Sequence, residues 1–193
     1  MIKQRLGPDF DRVVLRFLPF VGRLRVRPDV LTSLGAVVSL LAGIAFALGA
    51  PRAAGLAMLL AGFFDLIDGV VARAQGTATR WGAFFDSTMD RLSDLFIFSG
   101  IAIGFARDAD TAGVALSCAA LIGAVMTSYT RARAENHLAS LSIGLIERGE
   151  RWGILMAGAV LDWLELALGV VAVGAGITAV QRLIAVRRLL RDR

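Results

Sequence analysis

The chain has 193 residues, of which 56% are hydrophobic and 19% charged, against roughly 25% charged in soluble domains. A soluble fold of this length cannot bury so much apolar surface, so lipid is the expected solvent. The net charge of +5 comes without a soluble basic domain or interleaved aromatics, which argues against a nucleic-acid partner and for a face against anionic headgroups.

The first predicted element does not span. Over 9–24, Phe10, Val13, Val14, Phe17, Leu18 and Val21 alternate with Asp11, Arg12, Arg16 and Arg23 at helical spacing. That is the pattern of an amphipathic helix lying in the interface, kinked at Pro19. Six apolar stretches follow, at about 30–50, 53–75, 82–106, 112–134, 152–168 and 170–188, near the length of about 20 residues that a spanning helix needs. Breaks fall at Ala50-Pro51-Arg52, Gln75-Gly76-Thr77, Arg107 to Asp110, His137 to Gly149 and around Asp162-Trp163. Backbone exposed to lipid must satisfy its own hydrogen bonds, which selects helices. The expected fold is an all-α membrane protein: six transmembrane helices preceded by an interfacial amphipathic helix. It forms a single membrane domain over 1–193, with its bundle at 30–188.

Basic residues set the orientation. Lys3, Arg5, Arg12, Arg16, Arg23, Arg25 and Arg27 precede the first span; Arg73 and Arg80, then Arg131, Arg133, Arg148 and Arg151, lie in the even connections; Arg187, Arg188, Arg191 and Arg193 close the chain. The odd connections hold only Arg52 and Arg107, with Asp108, Asp110, Asp162 and Glu165 nearby. Both termini and the even connections are therefore expected on the cytoplasmic side of the cytoplasmic membrane. Five spans would put the basic tail on the wrong side. The N-terminal residues lack the apolar core and cleavage site of a signal peptide. The single cysteine, Cys118, excludes an intramolecular disulfide and reads as a small core residue.

Acidic residues inside apolar stretches are the informative anomaly. Asp65 and Asp68 end the second stretch, at i, i+3, and Asp86 and Asp90 open the third, at i, i+4. Each pair therefore shares one helix face. The two helices are expected to be antiparallel neighbours across a short turn at Gly76, so the pairs meet at similar depth. Ionised carboxylates in a membrane mark function, and four together repel and partly protonate. A hard divalent cation such as magnesium, which takes oxygen ligands and shares its shell with phosphates, resolves the conflict. Structural ion pairs with Arg73, Arg80 and Arg91 are one alternative. A cation-coupled carrier is another, although the broken helices and repeats of carriers are missing from the pattern.

Residues 65–90 read Asp65-x2-Asp68-Gly69-x2-Ala72-Arg73-x8-Gly82-x3-Asp86-x3-Asp90. This resembles the signature of the CDP-alcohol phosphotransferase family at every fixed position. The resemblance implies an enzyme with six transmembrane helices after an interfacial helix, and a homodimer. It implies Asp65, Asp68 and Asp86 as metal ligands, with Asp90 beside them as a further ligand and the general base. The metal would be magnesium, with manganese as a substitute, in two ions. The CDP-lipid would be held by Asp65, Gly69, Arg73 and Thr79, and by Asp29, Val30, Leu31 and Thr32 at the start of the first span. The chemistry agrees: arginine clamps phosphate in a bidentate manner, glycines admit close approach, and Asp90 can take a proton from an attacking hydroxyl.

The acceptor is read from later segments. Asp86-Ser87-Thr88-Met89-Asp90-Arg91-Leu92-Ser93-Asp94 resembles the inositol-phosphate branch of the family rather than the glycerophosphate branch. Ser128 to Glu135, Ile146 to Arg151 and Val180 to Leu183 resemble segments of phosphatidylinositol-phosphate synthases, with archaetidylinositol-phosphate synthases as close relatives. There Arg131, Arg151 and Arg182 match a basic pocket for the acceptor's phosphate. Arg131 replaces a frequent lysine and Gly149 a proline; arginine keeps the charge but changes the geometry. Basic residues in a cytoplasmic connection also follow from topology alone, whereas Arg182 lies within an apolar stretch. His137 reads as a solvated loop residue. The expected reaction joins CDP-diacylglycerol to inositol 1-phosphate and releases CMP; glycerol 3-phosphate is the alternative acceptor.

Overall fold

The computed structural model describes residues 26–138, 141 and 143–191, together with Arg16. All regular structure among them is helical: α1 (Pro28–Ala47), α2 (Pro51–Ala74), α3 (Arg80–Arg107), α4 (Thr111–Ala134), α5 (Arg148–Val160) and α6 (Leu164–Arg191). The interfacial helix expected over 9–24 lies outside the described residues apart from Arg16.

Local chemistry sets these boundaries. Prolines open α1 and α2, where their missing N–H and fixed φ cost nothing. Thr79 Oγ1 accepts the Gly82 N–H at 3.0 Å to cap α3, and Asp110 Oδ1 accepts from Gly113 at 2.9 Å to cap α4. Glu150 Oε2 accepts the Glu147 N–H at 2.8 Å at the start of α5. The α2–α3 turn passes through Gly76 at φ 64°, a conformation that glycine adopts without a Cβ penalty.

The outer surface is apolar and much of the interior is small. Val37, Leu41, Leu56 and Val173 are 54%, 55%, 62% and 63% exposed, whereas Ala42, Ala54, Ala120, Ala124, Ala159 and Ala175 are fully buried. Lipid is as apolar as leucine, so close packing of small residues holds such helices together. The tightest approach joins α1 to α3: a Cβ on Gly100 would lie 2.1 Å from the Gly43 carbonyl oxygen.

Four helices, α1, α2, α4 and α6, are long and apolar enough to cross a bilayer. α3 has 28 residues but carries Asp86, Asp90, Arg91 and Asp94 within its first fifteen. α5 has 13 residues, about 20 Å at the helical rise, short of a hydrocarbon core of about 30 Å. The expected fifth and sixth stretches need new boundaries, because the chain turns at Leu161–Trp163 and residues 164–168 belong to α6. Asp162 sits there at φ 62°, and the Trp163 N–H reaches back to the Gly158 carbonyl at 2.8 Å.

The helices adjoin in a ring, α2–α1–α3–α4–α6–α5 and back to α2. α2 and α3 each pack mainly on α1 rather than on one another, which corrects the expectation of direct neighbours. The space they leave holds the charged side chains. An apolar core of Phe46, Met58, Ile97, Phe98, Leu155 and Leu168 closes the bundle beyond that charge.

Candidate active site

The α2–α3 turn reverses the chain so that the last part of α2 faces the first part of α3. Carboxylate oxygens of Asp65, Asp86 and Asp90 there lie within 4.8 Å of one another. Three half-buried anions so close are unstable without a cation, and an all-oxygen set suits a hard divalent ion. Asp68 stands slightly apart: it is 5% exposed, and its Oδ2 accepts from Thr32 Oγ1 on α1 at 2.6 Å.

The carboxylates divide two cavities. Asp68 and Asp86 line the first, of about 980 Å³, with Asp29, Thr32, Gly69, Arg73 and Thr79. This gathers most of the predicted CDP-lipid residues. Asp29 Oδ2 accepts from Trp81 Nε1 at 3.3 Å, and Thr79 also caps α3. The Arg73 guanidinium lies over Gly69, where a Cβ would meet Nη1 at 3.1 Å. Three predicted residues do not line this cavity: Val30 is 45% exposed, Leu31 is buried against Ile67, Val70 and Val71, and Asp65 lines the second cavity instead.

Asp65 and Asp90 line the second cavity, of about 1100 Å³, with all three predicted acceptor arginines, Arg131, Arg151 and Arg182. Arg151 and Arg182 are 2% and 4% exposed. Thr127 joins them: its Oγ1 accepts from Arg151 Nη1 at 3.1 Å and its carbonyl from Arg182 Nη1. Arg182 Nε also donates to the Ile143 carbonyl at 2.7 Å, tying α6 to the α4–α5 connection. Thr178 strengthens that tie by accepting the Leu145 and Ile146 N–H groups, each at 3.1 Å. Arg131 instead pairs with Glu135 one turn along α4, at 2.9 Å.

Sequence reasoning gave no site role to Arg148 and Asp94. Arg148 Nη1 lies 2.9 Å from Asp90 Oδ1 and 3.5 Å from Asp65 Oδ1, and its guanidinium carbon sits 4.4 Å from the Trp152 ring centre. Asp94 meets Arg148 at 3.5 Å and Arg151 at 3.2 Å. The signal for Asp94 was present, because it extends the i, i+4 stripe of Asp86 and Asp90. Arg148 was hidden among basic residues that topology also explains. Arg91, offered as a partner for the acids, turns back onto Ser87.

The family model for CDP-alcohol phosphatidyltransferases matches residues 25–184. The chain belongs to the CDP-alcohol phosphatidyltransferase family. Archaetidylinositol phosphate synthase of Pyrococcus horikoshii is 34% identical, over 96% of this chain and 97% of that one. Phosphatidylinositol phosphate synthase of Streptomyces avermitilis is 36% identical, over 93% and 80%. Phosphatidylinositol phosphate synthase of Mycobacterium tuberculosis, solved with CDP-DAG bound, superposes with a TM-score of 0.78 at 32% identity, over 94% of both chains. The same protein solved with manganese and citrate gives 0.77 at 32%, over 93% and 88%. This CDP-alcohol phosphatidyltransferase is thus a membrane-integrated transferase of phospholipid biosynthesis with a divalent-metal site. The carrier alternative falls away.

Proposed function

We propose that the chain transfers the phosphatidyl group of CDP-diacylglycerol to the hydroxyl of inositol 1-phosphate, giving phosphatidylinositol phosphate and CMP. The observation that carries this reading is the carboxylate wall between two cavities, with nucleotide-type residues on one side and arginines on the other. A group bound on one side can be passed to an acceptor on the other with both held in place, which removes much of the entropic barrier.

Each residue then has a role. Arg73, Gly69, Thr79, Asp29 and Thr32 hold the CDP headgroup, and Val30 and Leu31 shape the helix that carries the last two. Asp65, Asp68, Asp86 and Asp90 would hold magnesium, in two ions, with manganese as a substitute. Bound there, the metal supplies Lewis-acid neutralisation of the diphosphate as CMP leaves. Asp90 faces the arginine cavity and takes the proton from the attacking hydroxyl. Arg131, Arg151 and Arg182 hold the acceptor's phosphate through charge-assisted bonds. The names of the inositol-phosphate relatives support this acceptor over glycerol 3-phosphate.

The same reading treats residues 1–193 as one membrane domain. It places all six helices in the cytoplasmic membrane behind an interfacial helix at 9–24, with both termini and the site on the cytoplasmic side. The family resemblance adds a homodimer. The test is CMP release by purified protein given CDP-diacylglycerol, magnesium and inositol 1-phosphate. Release that stops on chelation and returns with magnesium or manganese supports the reading. Release that ignores chelation contradicts the metal assignment, and no release with any alcohol contradicts the transfer.

A further inference from the structure

Between the metal-type aspartates and the acceptor arginines lies an acid that belongs to neither set. Asp94 follows Asp90 by one turn of α3 and is 3% exposed. A carboxylate buried in a membrane helix is costly unless cations and donors surround it. Both of its oxygens are engaged. Oδ1 accepts from Trp152 Nε1 at 2.7 Å and lies 3.5 Å from Arg148 Nε. Oδ2 accepts from Arg151 Nη2 at 3.2 Å.

The two arginines lead in opposite directions. Arg148 runs to Asp90 at 2.9 Å, the acid assigned to the attacking hydroxyl. Arg151 runs through Thr127 to Arg182, the cation assigned to the acceptor's phosphate. Asp94 is therefore the joint in a continuous chain from base to phosphate pocket. Arg151 Nε is buried without a hydrogen-bond acceptor, and Arg148 Nε has only the long 3.5 Å ion pair with Asp94 and no hydrogen bond. A network built only for stability would leave few buried donors unused, and these two lie on residues that line the acceptor cavity.

We propose that Asp94 is a positioning residue. It fixes Arg148 and Arg151 on α5 so that an acceptor held by its phosphate presents its hydroxyl at Asp90. The proposal rests on the acceptor reading above and adds a specificity-setting residue to it. Because Asp94 lies away from the CDP cavity, it should govern one substrate and not the other.

The experiment compares wild type with Asp94→Asn and Asp94→Glu. Both substrates are titrated in turn, and acceptor binding is measured separately by calorimetry with CDP-lipid and magnesium absent. Asparagine keeps an acceptor for Trp152 but removes the charge that holds both arginines. The expected result is an acceptor KM and Kd raised at least ~10-fold, the scale of one lost charge-assisted contact. The KM for CDP-diacylglycerol should stay within about threefold, and Asp94→Glu should recover part of the acceptor loss. Equal loss for both substrates, or an unchanged acceptor KM and Kd, overturns the proposal while leaving the acceptor reading intact. If Asp94→Asn does not fold, Asp94→Glu decides alone, since displacing the arginines by one methylene should still weaken the acceptor selectively. A wild type that uses only unphosphorylated alcohols overturns both readings.

Discussion

Asp65, Asp86 and Asp90 come within 4.8 Å of one another, and Arg148 lies against two of them. One guanidinium offsets part of that charge, and a divalent ion whose shell substrate phosphates complete would offset the rest. Asp65 and Asp86 should then each be required for holding the metal. Asp65→Asn or Asp86→Asn should abolish CMP release at magnesium concentrations that saturate wild type, and full activity in either would remove that residue from the site. Asp90 divides differently, because it faces the arginine cavity. Asp90→Asn should still bind CDP-diacylglycerol with magnesium, measured by equilibrium binding, yet turn over at least ~100-fold slower, the low end for a lost general base. Loss of that binding would make Asp90 a ligand and nothing more. Arg182 is anchored by carbonyls of two separate segments, so removing it opens the phosphate pocket without touching the nucleotide side. Arg182→Ala should raise the acceptor KM at least ~10-fold, about 1.4 kcal/mol, and leave the KM for CDP-diacylglycerol within about threefold.

Helices bring these residues together by backbone contact. A Cβ on Gly100 would collide with the Gly43 carbonyl, and one on Gly43 would lie 2.4 Å from the Phe96 carbonyl oxygen. Neither obstacle is a flexible side-chain end, so α1 and α3 would have to part. Gly100→Ala should cost on the order of 1–3 kcal/mol, the usual scale of overpacking, and lower the melting temperature in detergent. Gly62→Ala, with open space around its Cβ position, should leave it unchanged; equal effects would mean the close approach is unimportant. The same elements show what the sequence disclosed. Apolar length located all six helices, and the spacing of Asp65, Asp68, Asp86 and Asp90 disclosed the shared faces. The break around Asp162-Trp163 was legible but the short length of α5 was not, because the stretch drawn over 152–168 ran across that turn into α6. Nor was the insertion of α1 against both α2 and α3, which depends on small residues such as Gly43 and Gly100 rather than on any charged pattern.

Across the whole molecule, the ring of helices turns an apolar surface to lipid and collects charge inside, at the end where α2 meets α3. Two cavities reach that charge, and in the proposed reaction both substrates meet at the carboxylates between them. Arg182 and Arg151 were legible as acceptor candidates, but Arg148 and Asp94 became visible only once α5 was placed over α3. Selection of a phosphorylated acceptor by the arginine-lined cavity, for a phosphatidyl group delivered from the other side, is the core of the proposed function. It is tested most directly by supplying radiolabelled CDP-diacylglycerol and magnesium with inositol 1-phosphate, free inositol or glycerol 3-phosphate, and separating the lipid products. Labelled phosphatidylinositol phosphate should form from inositol 1-phosphate, with kcat/KM at least ~10-fold above the other two acceptors. Equal or greater turnover of free inositol would contradict it.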